Sequence, residues 1–415
     1  MATSSSGVLS RLLRYGVARA LNALGRQMLS VAVGWELYER TGSALTLGVV
    51  GLVQVVPVVL LFVPAGQLVD RLDRRALTTF AVSVIGVVGL GLAATSRWAA
   101  PIPLYYALLL LLGGATALHS PAASAYLPTI IPRGELARSN AIISSMYELA
   151  SMLGPALAGL MLWRLVPAAV YAFVAVTGCA SAVLYRSLPR SDPPERDSAA
   201  AARRDWRAGA RFIFASPLLL PALTLDLFAV LFAGALALLP AVAKDVLHVG
   251  PLGLGILRAA PAIGAIAAAL VGSRLPPWRR PGRVLLWVVV LYGAATIGFG
   301  LSRSFPWSVA LLALSGVVDN ISVVIRITLE QLVVPDAIRG RVSAVHHVFI
   351  GMSNELGELE SGVAAHLVGV VPAIVLGGAV AIAVVGVVAL RWPALARMPP
   401  LHQLRPEDDL SAAGR

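Results

Sequence analysis

Charge is scarce in this chain, and lysine is almost missing. Only 13% of its 415 residues are charged, whereas 58% are hydrophobic and the mean hydropathy is +0.82. Such a composition excludes an ordinary soluble globular protein and predicts a polytopic membrane protein. Lys244 is the only lysine, so arginine supplies the net charge of +12. The arginines lie in short segments between apolar runs, which indicates membrane topology and not nucleic-acid binding.

Cysteine and catalytic motifs are missing too. With Cys179 as the single cysteine, neither an intrachain disulfide nor a cysteine-rich metal site is possible. The sequence contains no phosphate-binding GxxxxGK(S/T), no HExxH and no GxSxG. We therefore expect no enzyme, no metal and no cofactor. The basic N-terminus lacks the apolar core of a signal peptide and is interpreted as the lead-in to an uncleaved first span.

Apolar segments long enough to cross a membrane recur along the whole chain. A spanning helix needs about 20 mostly apolar residues, and turn residues separate neighbouring segments. We predict an all-α membrane protein with twelve transmembrane helices, at residues 14–38, 45–68, 76–96, 102–127, 139–163, 166–187, 217–241, 251–273, 284–302, 305–329, 341–367 and 371–392.

The arginines alternate between loops. Arginine clusters occur in alternate loops, for example at Arg71–Arg75, Arg186–Arg211 and Arg274–Arg283, while the intervening loops hold one basic residue or none. Because basic residues stay on the cytoplasmic side, both termini are predicted to be cytoplasmic. We expect a multi-pass protein of the cytoplasmic (inner) cell membrane.

The two halves of the sequence repeat. IIPRGELARSNAI (residues 130–142) and VVPDAIRGRVSAV (residues 333–345) align at an offset of 203. Two six-helix pseudo-symmetric halves are typical of transporters, whose binding site lies near the bilayer midplane. The predicted boundaries are a first half at 1–187, a cytoplasmic linker with an amphipathic helix at 188–216, a second half at 217–395 and a cytoplasmic tail at 396–415.

Polar residues crowd onto some spans and avoid others. The third, sixth, ninth and twelfth spans carry no Asp, Glu, Lys or Arg in their cores, as expected of lipid-facing helices. The remaining spans supply substrate-cavity candidates. Structural ion pairs are the alternative, because buried charges usually pair. The candidates are Asn22, Arg26, Asp226, Asp319, Asn320 and Arg326.

The segment GMSNELGELESG, residues 351–362, places three glutamates in an apolar context. Glu355 and Glu358 share one face of the predicted helix, and Glu360 projects elsewhere. A carboxyl in low dielectric beside a like charge can bind and release a proton near neutral pH, whereas the alternative role is to brace neighbouring helices. The proton-coupling candidates are Glu355, Glu358, Asp226, Asp319 and Glu148.

Two motifs resemble those of the major facilitator superfamily. GQLVDRLDRR, residues 66–75, resembles its signature loop between the second and third spans, although Asp73 stands where the family commonly has Gly. GPALAG, residues 154–159, resembles the end of the antiporter motif, with Ala158 in place of Gly. The whole chain looks like the drug/proton-antiporter-like branch that contains macrolide and siderophore exporters.

The resemblance implies roles for both motifs. Gly66 would allow close helix approach, and the charged loop residues would form a conformational latch with it; this set is Gly66, Asp70, Arg71, Arg74 and Arg75. The helix-packing candidates are Gly154, Pro155, Gly159, Gly357 and Gly362.

The resemblance also implies an activity, which is secondary-active, proton-coupled efflux of small amphipathic molecules by alternating access. The expected partners are a small-molecule substrate and the lipid bilayer, and the expected state is a monomer. Uptake and lipid translocation on the same fold are alternatives. A membrane receptor or embedded enzyme is disfavoured by the repeat and by the lack of catalytic motifs.

The latch role predicts the effect of Asp70→Asn. Transport should fall roughly ten-fold, because the amide loses a charge-assisted hydrogen bond worth about 1.5 kcal/mol. Expression level and membrane insertion should match those of the wild type. Unchanged transport in vesicles with equal amounts of protein would remove the latch role.

Overall fold

Helices account for nearly all of the chain in the computed structural model, which describes residues 5–191, 206–274, 276, 278–335 and 338–404. No strand occurs within these ranges. Thirteen helices of ten residues or more follow one another in the described chain: α1 (Ser5–Thr41), α2 (Ala44–Arg71), α3 (Arg74–Arg97), α4 (Ile102–Ile130), α5 (Leu136–Arg164), α6 (Pro167–Arg186), α7 (Trp206–Ala215), α8 (Leu219–Ala233), α9 (Pro251–Gly272), α10 (Pro281–Leu301), α11 (Phe305–Val333), α12 (Arg339–Val368) and α13 (Val370–Arg391).

Two helices differ clearly from the predicted limits. α1 begins at Ser5 and not at residue 14, because the basic lead-in is itself helical. The seventh predicted span is interrupted, since α8 ends at Ala233 and Gly234 leaves helical geometry with ψ at 68°. The chain continues as tighter and wider helical turns to Val246. Pro240, which has no backbone N–H to donate, lies in this continuation.

By length and composition, ten helical segments of the described chain can cross a membrane. α1 and α12 are long enough but more polar than their neighbours, because charged side chains recur along each of them. In α12 the polar residues include two arginines and three histidines in addition to those of the glutamate segment. The structure therefore supports a multi-pass helical protein, and the count of twelve spans and the cytoplasmic termini stay predictions.

Helix packing divides the chain into two compact units. Unit 1 comprises Met1–Gly42, Val49–Ala199 and Val249–Ala259, and unit 2 comprises Ser43–Gly48, Ala200–His248 and Ala260–Arg415. The start of α2 thus packs with unit 2, and the start of α9 packs with unit 1. The sequence boundaries at residues 187, 217 and 395 remain predictions.

The same helix pairings recur in the two units. In unit 1 α3 packs against α4 and α6, and α1 packs against α5 and α6. In unit 2 α10 packs against α11 and α13, and α8 packs against α12 and α13. Each pairing of the first unit thus has a counterpart about 200 residues later, as the sequence repeat leads one to expect.

Glycines allow the tightest of these pairings. A Cβ built on Gly178 of α6 would lie 2.7 Å from the Cα of Gly86 in α3. Its counterpart in unit 2 is Gly378 of α13, where a Cβ would lie 2.7 Å from the carbonyl oxygen of Gly293 in α10. Small residues let helix backbones approach closely inside a membrane, where lipid tails compete equally for apolar surface.

The crossing of α13 and α10 at Gly378 predicts different effects for two substitutions in α13. Gly378→Ala should lower the free energy of unfolding by about 1–3 kcal/mol, because the added methyl group meets backbone. Gly386→Ala is the matched control, since nothing lies within 4 Å of a Cβ there. It should be neutral or stabilising by up to about 1 kcal/mol through helix propensity. Thermal unfolding of the purified proteins measures both, and equal stability of the two variants would contradict the packing role.

Candidate functional site

Unit 2 contains a cavity of about 180 Å³ with mostly apolar walls. The walls come from α8 and its continuation, α10, α11 and α12, together with Pro261 of α9. Its ionisable lining residues are Asp319, Glu358 and Tyr292, and no Lys, Arg or His is among the described residues that line it. The cavity therefore combines two carboxyl groups with a low-dielectric wall.

Asp319 projects from α11 into this cavity, where its side chain is exposed. It forms no hydrogen bond or salt bridge with any residue that the structure describes. Thr296 and Ser315 bring hydroxyl groups to the same wall. The Arg326 guanidinium attracts the Asp319 carboxylate through space while bound to Asp226. A carboxylate without a direct bond beside apolar surface is costly, so it can bind a proton or a positively charged group.

Asp226 and Arg326 form an ion pair between α8 and α11. The two side chains are 11% and 4% exposed, and Arg326 also donates from Nε to the carbonyl oxygen of Ser322 at 3.3 Å. Arg326 does not line the main cavity. Asp226 and Asp319 border a smaller adjoining cavity of about 10 Å³. The geometry is that of a structural ion pair beside the cavity.

α12 contributes one polar face to the cavity. Asn354, Gly357 and Glu358 line it, and the Glu358 side chain is half-buried. Gly357 permits the approach of α8, since a Cβ there would lie 3.0 Å from the carbonyl oxygens of Val230 and Leu231. Glu360 is half-buried and is not a lining residue. The side chain of Glu355 lies outside the described part of α12.

The cavity candidates of unit 1 are placed differently. Asn22 of α1 is 5% exposed, and its amide nitrogen lies 3.4 Å from Nδ1 of the buried His119 in α4. Arg26 is exposed, and Glu148 is exposed on α5. Asn320, next to Asp319, is half-buried on α11. The structure therefore places Asp319 of α11 and Glu358 of α12 around one cavity beside the Asp226–Arg326 pair, while Asn22 and Arg26 lie one turn apart on α1.

The packing candidates all lie at close helix contacts. A Cβ on Gly154 would lie 2.6 Å from the Cβ of Gln27, and one on Gly159 would lie 2.8 Å from the Cα of Gly255. The carbonyl oxygen of Pro155 faces Gly255 in the same contact. A Cβ on Gly362 would lie 2.5 Å from the Cα of Gly48.

The signature loop is held by its own charged residues. Asp73 caps α3, accepting from the backbone N–H of Arg75 at 3.0 Å and also from that of Ser191 at 3.2 Å. The Arg74 guanidinium donates to the carbonyl oxygen of Ala125 at 3.2 Å. Arg75 donates to the carbonyl oxygens of Arg186 and Leu188 at 3.2 and 3.1 Å. Both arginines thus satisfy carbonyl groups near the ends of α4 and α6.

The other members of the signature set are Gly66, Asp70 and Arg71. Arg71 is exposed, and the side chain of Asp70 lies outside the described residues. The expected close helix approach at Gly66 is absent from this structure, because no atom lies within 4 Å of a Cβ built there. Gly66 lies near the end of α2, where no neighbouring helix packs on that position in the described part of the chain.

Two buried glutamates were not among the sequence-predicted candidates. Glu36 of α1 is 6% exposed and accepts a 2.7 Å hydrogen bond from the Tyr105 hydroxyl. Glu330 of α11 is 7% exposed, accepts from the Ser343 hydroxyl and lies 2.5 Å from Nδ1 of His346. Both lie within a few residues of a helix end, where a charge is normally attributed to the membrane surface. The apolar residues next to Glu36, in VGWELY, are the sequence signal that could have identified it as buried.

The Asp226–Arg326 pair predicts a non-additive double substitution. Asp226→Asn leaves a buried cation without its counter-charge and should destabilise the protein by about 3–5 kcal/mol. Asp226→Leu combined with Arg326→Met should restore most of that stability, because both charges are then gone. Thermal unfolding of the purified variants measures this, with exposed Asp245→Asn as the control for loss of one charge. If the double variant is destabilised by as much as the sum of Asp226→Leu and Arg326→Met measured singly, the pairing is contradicted.

Solved structures of transporters share this fold. A bacterial homolog of the human lysosomal transporter Spinster, in an inward-facing and unoccupied conformation, gives a TM-score of 0.73 at 15% identity and covers 95% of this chain and 98% of its own. A D-xylose–proton symporter gives 0.71 at 12% identity, covering 92% and 97%. At such identities the likeness shows the fold alone.

Sequence relatives and a family model narrow the assignment. The enterobactin exporter EntS of Shigella flexneri is 28% identical over 331 residues, covering 79% of this chain and 78% of its own length. EntS of Citrobacter koseri is 28% identical over 330 residues, with 79% of each chain covered. The family model of the Major Facilitator Superfamily matches residues 15–358. The chain therefore belongs to the Major Facilitator Superfamily of transporters.

Proposed function

We propose that this protein is a secondary-active exporter that couples efflux of small amphipathic molecules, drug-like or siderophore-like, to proton entry by alternating access. It acts as a monomer in the cytoplasmic (inner) cell membrane. The proton gradient supplies the energy, and no cofactor takes part. The observation that carries the proposal is the cavity of unit 2, in which Asp319 and Glu358 face apolar walls.

Two further features support this assignment. The relatives matched over most of the chain are named as exporters of enterobactin. The repeated helix pairings of the two units agree with two halves of one transporter.

The two cavity carboxyls have the properties that proton coupling requires. Asp319 forms no hydrogen bond or salt bridge with the described residues and is exposed to the cavity, so a proton can reach it. Glu358 faces the same space from another helix. Protonation of either group removes a negative charge from a low-dielectric wall, which changes the stability of one conformation relative to another. Asp226 is less suited to this role, because Arg326 already compensates it.

Uptake into inside-out vesicles tests the proposal. A fluorescent lipophilic dye or a catecholate siderophore should accumulate when a pH gradient, acidic inside, is imposed, and a protonophore should abolish the accumulation. Glu358→Gln should shift the pH dependence of transport if the residue carries protons, whereas loss of expression would indicate a bracing role. Exposed Glu39→Gln is the matched control and should behave as the wild type. Transport at the same rate with and without the pH gradient would reject proton coupling. If no compound of a broad panel is transported, the exporter assignment is rejected.

A further inference from the structure

We infer that the cavity of unit 2 selects cargo carrying a protonated amine or guanidinium beside an apolar ring or chain, and that the Asp319 carboxylate binds this cation. The inference rests on the proposed function and narrows its small amphipathic cargo to cations. Asp319 is thereby assigned as a specificity residue in addition to its candidate role in coupling.

The balance of charge in the cavity favours a cation. Asp319 and Glu358 line it, and no cationic side chain does so in the described part of unit 2. Arg326, the nearby cation on the same helix as Asp319, is 4% exposed and is engaged by Asp226 and the carbonyl oxygen of Ser322. An anionic cargo would therefore meet carboxyl groups and no cationic side chain among the described residues that line the cavity, which opposes its binding.

Asp319 differs from the other carboxylates because it forms no direct hydrogen bond or salt bridge with the described residues, and Arg326, which attracts it through space, is bound to Asp226. The buried carboxylates Asp226, Glu36 and Glu330 each have an ion-pair or hydrogen-bond partner. Asp319 has none among the residues described, although its side chain is exposed to the cavity. An ammonium or guanidinium group supplies both the charge and the N–H donors that such a carboxylate accepts.

The size and lining of the cavity suit part of a cargo molecule and not a proton alone. A proton alone would neutralise Asp319 but would not fill a volume of about 180 Å³. That volume is below the roughly 300 Å³ at which drug-sized pockets begin. In this conformation the cavity therefore suits the charged end of a cargo and one ring or short chain. Leu311, Leu312 and Ala295 provide apolar contact, and Tyr292 adds an aromatic ring that can attract a cation.

Equilibrium binding to the full-length purified protein tests the inference with three probes on one skeleton: 4-phenylbutylamine, 4-phenylbutanol and 4-phenylbutyrate. The amine should bind roughly ten-fold more tightly than the alcohol, as expected for a hydrogen bond to a charged group. The carboxylate should bind more weakly than either. Microscale thermophoresis or competition with a radiolabelled cation measures the three affinities.

Variants assign the preference to one side chain. Asp319→Asn should remove the advantage of the amine while affinity for the alcohol stays within about two-fold, since the skeleton still contacts the same apolar walls. Asp319→Glu should retain a preference for the amine. This variant shows that substitution at residue 319 does not by itself abolish binding through misfolding. Asp245→Asn removes the same charge at an exposed position outside the cavity and should leave all three affinities unchanged.

Two results would overturn the inference: equal affinities of the wild type for the three probes, or an amine preference that survives in Asp319→Asn. Binding at equilibrium requires neither a pH gradient nor a direction of transport. Failure of the vesicle experiment would therefore reject the proposed exporter without affecting the cation preference, and equal probe affinities would reject the preference without affecting the exporter.

Discussion

A charge placed away from water has to be compensated where it lies, and this constraint organises the polar residues of the chain. The cost is high in a helical membrane protein, because neither lipid nor an apolar helix face can solvate a carboxylate. Asp226 has Arg326, Glu330 has His346 and Ser343, and Glu36 has Tyr105. Asp319 departs from this pattern in the described structure, and it faces the cavity.

Close helix crossings place these charged groups at fixed positions. Gly378 brings α13 against α10, and Gly357 brings α12 against α8, the helix that carries Asp226. The equivalent crossing in unit 1 at Gly178 shows that both units use the same means to pack backbones. In the second unit, Asp319 and Glu358 line a cavity of about 180 Å³. The repeat therefore supplies a common framework, and a few side chains distinguish its two copies.

Hydropathy and arginine placement were sufficient to predict an all-helical membrane protein, because long apolar runs admit few other structures in lipid. Pattern alone also singled out Asp319 and Glu358 as candidate functional residues. It could not pair Asp226 with Arg326, since 100 residues separate them and only tertiary packing brings α8 beside α11. Glu36 and Glu330 were missed because a position near a helix end usually means contact with water. The hydrogen bond from the backbone N–H of Ser191 to Asp73 depends on the path of residue 191, which no local pattern encodes.

The cavity-facing Asp319, which forms no direct bond with the described residues, has a thermodynamic consequence for the whole protein. A group that binds to this carboxylate in the folded state and not in the unfolded chain raises stability in proportion to the logarithm of its concentration. Asp319 lowers the stability of the folded protein when no group is bound to it. The thermal stability of the protein therefore depends on the composition of the surrounding solution. A melting temperature, followed across compounds, would then report on binding without any transport taking place.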